Sequence, residues 1–208
     1  LYETYSHAKE WSFYGNLPII QFYKVATDNA APFYNIYGGT QDNNSMGGPS
    51  GTINVSGILN TDWFITNGGD GFESATDWSN PNITYAQAQY GWLVRYDRAS
   101  GEKVPIQPMP ALDEAAYRWN WDAPLIVSKH DASTLYFAAN KLFKSSNRGD
   151  DWQTISPDLT KQIDRNEIEV MGQVWTIDAV MKNASTTIYG NVVALDESPL
   201  KKGLLYVG

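Results

Sequence analysis

The chain has 208 residues, 42% of them hydrophobic and 13% aromatic, with a net charge of -8 and no cysteine. That is enough apolar material for a sizeable core, but no stretch is long and apolar enough to cross a bilayer as a helix, and disulfides, thiolate catalysis and thiolate metal sites are excluded together. The acidic balance leaves no basic patch for phosphates, so neither nucleic acid nor membrane insertion is expected. With 17 Gly, 10 Pro, 8 Trp and 13 Tyr, and few helix-period stretches, the composition predicts short strands joined by turns, an all-β chain.

In chain order, 1–18 reads as the end of a repeat, with Thr4, Ser6, Ala8 and Trp11 at a spacing that returns at Ser145, Asn147, Gly149 and Trp152. From Trp11 to Trp152 the separation divides into three steps of about 47 residues, inside the period of propeller blades. A turn at Asp97, Ala99, Gly101 and Val104 falls near one expected step, and near the other only the Gly-rich run Gly47 to Gly57 is found. Between these marks the strand runs recur: 17–28 and 32–41; then 68–77, 82–91, 92–98 and 103–108; then 118–131, 133–141 and the hairpin 141–157. A last set begins after 156–172 with VWTIDAVMKN and TIYGNVVALDESP and leads to LLYVG. Each second strand ends in a similar small-polar cluster, Gly39-Thr40-Gln41, Ala88-Gln89-Tyr90 and Ala139-Asn140-Lys141. The expected divisions are 1–18, 19–60, 61–110, 111–160 and 161–208. Nothing resembling a leader precedes Leu1, and GLLYVG stops where a turn should follow, so the chain reads as a piece of something longer. Sequons at Asn43, Asn54, Asn82 and Asn183 are at the level that composition alone supplies.

The stretch 141–157, KLFKSSNRGDDWQTISP, predicts a β-hairpin in which a short polar side chain bonds its own turn, Gly149 takes a positive φ and Trp152 plugs into the core. This spacing, with LPIIQFYKVATDN, YGGTQDN, GGDGFES, RWNWDAPLIVSKHD and ALDESPLKKGLLYVG, resembles the BNR or Asp-box repeat proteins of bacterial envelopes. Those chains are often labelled glycosyl hydrolase, and are related to the propeller region of sortilin-type receptors and to xyloglucanase propellers. The resemblance implies a β-propeller with four-stranded antiparallel blades, of which this chain would be about half: three blades plus parts of flanking ones. It also implies a secreted, periplasmic or cell-envelope location, and the remaining blades of a longer chain as partners, because half a propeller has open edges.

In such a propeller, the ends of second strands and the starts of first strands open on one face around the channel, and the Asp-box turn opens on the other. Toward the channel face go Gln41, Asp42, Asn43, Gly69, Asp70, Gly71, Gln89, Tyr90, Arg118, Trp119, Asn120, Trp121, Asp122 and Asn140, with Glu167 to Gln173 also assigned there. Amides and carboxylates hydrogen-bond hydroxyls, and aromatic faces stack on pyranose rings, so a glycan or an extended peptide is the expected ligand. Ser145, Asn147, Gly149 and Trp152 are expected to be structural. Trp119 and Trp121 alternate on the expected strand, so one should face the core and the other a neighbouring blade or ligand. Asp42, Asp70 and Asp122 stand between turn-capping and ligand contact.

Three functions remain open: a binding or scaffold propeller; a glycoside hydrolase using Asp70 with Asp122, or Asp42 with Asp70, as its carboxylate pair; and a sortilin-like peptide receptor. A sialidase is rejected for this stretch, because only Arg118 stands at a channel-face strand start and no arginine cluster exists. His7 and His130 have no sequence neighbours suggesting a metal or a base. No cofactor is expected; Ca²⁺ is the one ion that the oxygen groups near Asp42 and Asp70 would suit, without any EF-hand or RTX-type spacing.

Overall fold

The computed structural model describes residues 2–15, 20–182 and 189–208. Leu17 to Ile19, at the start of the first expected strand run, and the Asn183 sequon lie outside them. Strand runs rich in β-branched and aromatic residues, broken by Gly, Asp and Asn turns, fold into consecutive antiparallel meanders. After a hairpin of β1 (Tyr2–Glu3) and β2 (Ser12–Phe13) come three four-stranded sheets. The first contains β3 (Lys24–Thr27), β4 (Asn35–Gly39), β5 (Ser45–Pro49) and β6 (Phe64–Asn67). The second contains β7 (Gly71–Thr76), β8 (Ile83–Ala88), β9 (Trp92–Asp97) and β10 (Lys103–Pro105). The third contains β11 (Leu125–Val127), β12 (Leu135–Ala138), β13 (Leu142–Ser145) and β14 (Gln153–Thr154). Two pairs follow, β15 (Glu169–Val170) with β16 (Gln173–Val174), and β17 (Leu195–Glu197) with β18 (Leu205–Val207).

The sheets meet through their first strands, β3 on β7, β7 on β11 and β11 on β17. That is the arrangement of propeller blades around a channel. The fold is all-β, an arc of three complete four-stranded blades with part-blades at either side. Among the described residues no helix is long and apolar enough to cross a membrane.

Three sequence expectations change. The first blade runs to Asn67, past the expected division at residue 60, because a 50–63 connection separates β5 from β6 and displaces the fourth strand. The expected strand through 118–124 is a loop, and β11 begins only at Leu125. The fourth blade's first strand is β17, so 155–182 and 189–194 belong to an excursion on the channel face rather than to the opening of a blade at 161.

Packing differs from joint to joint. Between the second and third blades lies the main core, where Tyr85, Leu93, Trp119, Leu125, Leu135, Phe137 and Phe143 meet. Between the first and second the inner strands approach so closely at one point that a Cβ on Gly39 would stand 2.1 Å from the carbonyl carbon of Gly71. No side chain larger than hydrogen fits there.

The β13–β14 turn has the geometry its sequence predicts. Ser145 Oγ donates to Asn147 Oδ1 (2.9 Å) and accepts the Gly149 N–H (2.9 Å), Asn147 Oδ1 accepts the Asp151 N–H (3.0 Å), and the Trp152 indole N–H donates to the Ile106 carbonyl (2.6 Å). The β1–β2 turn repeats the pattern: Thr4 Oγ1 accepts the Ala8 N–H (3.1 Å) and Ser6 Oγ the Glu10 N–H (2.8 Å), with His7 at φ 53° matching Arg148 at φ 61°. One turn design therefore closes the outer strand pair in two places. Gly149 has φ +91°, and a Cβ there would lie 2.5 Å from Ile106 Cδ1. Gly149→Ala is expected to cost about 1–2 kcal/mol, measured as a lowered urea midpoint with unchanged slope; an unchanged midpoint would contradict this geometry.

Candidate functional site

The channel mouth is built from turns that interlock across blades. Thr40 accepts the Gly71 N–H through its carbonyl (3.0 Å), and Asp70 Oδ1 accepts the Asp42 N–H (2.9 Å). Gln89 Oε1 in turn accepts the Asp70 N–H (2.9 Å). Asp70 is 7% exposed; its carboxylate joins the first two blades, and Gln89 holds it in place from within the second. At the next joint Asn140 Oδ1 accepts the Arg118 N–H (2.9 Å), and Asn140 Nδ2 donates to Asp158 Oδ2 (3.0 Å).

Arg118 is a clamp. Its guanidinium donates to Asp158 Oδ2 (2.7 Å) and Thr160 Oγ1 (3.0 Å) on the departing stem of the excursion, and to the Gly190 carbonyl (2.9 Å) on the returning stem. Burial works against ionisation of Asp158, but the N–H and hydroxyl of Thr160, the Asn140 amide and Arg118 outweigh it and hold its carboxyl well below the usual carboxylate range. A cleft of about 1300 Å³ lies at this base, lined by Arg118, Thr160, Tyr189 and Val192 among others. Asn120 bonds Asn191 (3.0 Å) across the same joint.

Trp119 and Trp121 part company although both lie in a loop. Trp119 enters the core against Phe137 and Phe143, with ring centroids 4.7 and 5.7 Å away. Trp121 stays half-buried at the mouth, edge-on to Tyr90 at 5.0 Å. Tyr90 is 39% exposed and left-handed at φ 59°, an uncommon conformation for a bulky residue. Gln107 Nε2 donates to its carbonyl (3.0 Å). Gln41 accepts the Tyr23 hydroxyl, and Asn43 Nδ2 donates to the Gln41 carbonyl (3.0 Å).

From these residues grows a feature that the sequence reading missed. Tyr23 packs on Phe72 (4.8 Å) and Phe72 on Trp121 (6.0 Å), one aromatic from each blade. The following residues, Lys24, Glu73 and Asp122, also meet: Lys24 Nζ lies 2.6 Å from Glu73 Oε2 and 3.2 Å from Asp122 Oδ2. An aromatic-charged dipeptide therefore recurs at 23–24, 72–73 and 121–122, 49 residues apart each time. That spacing was present in the sequence, but an aromatic followed by a charge is too common to single out without the contacts.

Burial pushes the Glu73 carboxyl up; the Lys24 ammonium opposes this and the Asp122 carboxylate adds to it. For Lys24, burial lowers the value, and Glu73 and then Asp122 outweigh it, so the ammonium is held above its usual range. The ion pair is therefore lopsided: desolvation wins at the acid and attraction wins at the base. Asp122 Oδ1 is enclosed and accepts no hydrogen bond among the described residues. Among the described residues no group of three acids or histidines could hold a metal. His130 bonds the Ser198 carbonyl (2.8 Å), a structural contact.

No family model matches the chain, and no curated protein does. Among solved structures it is similar to the GH74 xyloglucanase from Xanthomonas campestris, with a TM-score of 0.42 and 14% identity over 62% of this chain and 20% of that one. The matched part is thus a small fraction of that enzyme's length.

Proposed function

We propose that this segment is the recognition face of a binding or scaffold propeller, part of a longer secreted or envelope protein of the Asp-box repeat kind, and that its ligand is an extended glycan. The observation that carries the reading is the aromatic belt: Phe72 is buried at 1% exposure and anchors two accessible ends, Tyr23 at 47% and the Trp121–Tyr90 pair. Rigid aromatic faces held by a buried neighbour, with amide and carboxylate groups beside them, suit stacking and hydrogen bonding to sugar rings. The remaining blades complete the channel, no cofactor is required, and the Asp-box turn on the opposite face serves the fold. Trp121→Ala is expected to weaken binding to an oligosaccharide panel about tenfold or more. Unchanged affinity for every sugar bound would refute this use of the belt.

A hydrolase is the second reading, favoured by one geometric fact. Contacts of 2.6 and 3.2 Å to one ammonium hold the contacting oxygens of Glu73 and Asp122 no more than about 6 Å apart, a bound that admits the separation of about 5 Å used by retaining glycosidases. Glu73, with its raised carboxyl, would be the acid, in place of Asp70, whose Oδ1 bonds a neighbouring turn. Turnover that disappears in Glu73→Gln would favour this reading over pure binding.

A further inference from the structure

We infer that the belt selects its ligand by charge, taking a glycan that carries protonated amino groups and rejecting one that carries carboxylates. This rests on the reading of the channel face as a glycan site. The belt and its adjoining turn hold one cation, Lys24, against Asp42, Asp70, Glu73 and Asp122. Lys24 is shared by two of those carboxylates, so its charge is outweighed where an acidic sugar would need it. The nearest arginine of the same face, Arg118, is held by Asp158. Asp42 is exposed, and no ion pair engages it among the described residues.

The rings of the belt fit an ammonium. Trp121 and Tyr90 stand edge to face, and a cation over either ring is attracted by the ring quadrupole. A carboxylate in the same place would meet negative charge on the aspartates and on the ring faces. The net charge of -8 extends the bias beyond contact distance.

The test is calorimetric titration of the protein, at about pH 6, with hexamers of glucosamine, N-acetylglucosamine and galacturonic acid, and with hexalysine as the peptide counterpart. The glucosamine hexamer is expected to bind about tenfold or more tighter than the galacturonate hexamer. Raising salt from about 0.1 M to about 1 M, which shortens screening from about 10 Å to about 3 Å, should collapse that ratio. Asp42→Asn should lower glucosamine affinity a few fold and leave the N-acetylated hexamer unaffected. Equal binding of the glucosamine and N-acetylglucosamine hexamers would overturn charge selection while leaving the glycan reading intact, as would a galacturonate preference. Hexalysine binding without any sugar binding would overturn both and assign the face to basic peptides, and no binding of any sugar would remove the glycan reading itself.

Discussion

Trp119→Ala is expected to destabilise the protein by about 3–5 kcal/mol, whereas Trp121→Ala, two residues away, should cost about 1 kcal/mol. Trp119 is 6% exposed and belongs to the cluster that joins the second and third blades. Its indole lies against Phe137 and Phe143, and Tyr117 closes the edge at 6.4 Å. Truncation removes an aromatic neighbour from both rings and leaves a cavity in a joint whose blades cannot collapse inward without breaking their strand ladders. Trp121 is half-buried with its partners at the mouth, so truncation opens a surface rather than a void. Urea midpoints of the two variants decide the matter, and equal losses would show that the division between core and mouth is wrong.

Arg148→Ala is expected to cost about 2–3 kcal/mol near neutral pH, less than for a fully buried pair because the arginine is partly exposed. Arg148 Nε donates to Asp77 Oδ2 at 2.7 Å, and the Asp77 side chain is 0% exposed. The pair connects the β13–β14 turn of one blade to the end of β7 in the blade before it. Burial opposes ionisation of Asp77, but bonds from Ser79 and from Arg148 outweigh it and hold the carboxyl below its ordinary value. A carboxyl that ionises more readily in the folded than in the unfolded chain contributes stability fully present above about pH 4, and that contribution drains away as pH falls through the lower folded value. Asp28, with Asn35 and Tyr37 as donors, and Glu197, with Ser128, Gly203 and Lys129, are shifted in the same direction against the same burial. Glu73 has the opposite sign: its raised carboxyl adds stability below about pH 4.5 that is lost as pH rises through the higher folded value. Melting temperature against pH should therefore fall on the acid side in the parent and fall less steeply there in Arg148→Ala. A variant as stable as the parent at neutral pH would show that Ser79 alone sustains the Asp77 charge.

Local chemistry was legible in the residue order. Aromatic content, turn residues and the scarcity of helix-period stretches announced the all-β class, because strand preference and a turn's φ values depend on a residue and its near neighbours. Ser145, Asn147, Gly149 and Trp152 predicted their own hairpin for the same reason, and the small-polar clusters at Gly39, Ala88 and Ala139 marked the ends of β4, β8 and the strand before Ala139. Only the tertiary structure decided what the channel-face residues do. Arg118 fits a ligand set by type, but the excursion that it clamps reaches it from 158–160 and 190. Asp70 is drawn into a joint between blades, and Gln89 supports it from within its own blade. Glu73 went unnoticed because its meaning lies in Lys24 and Asp122, 49 residues away on either side. Residue order controls turns and faces at short range, whereas which side chains converge at the channel is set by how whole sheets pack against one another.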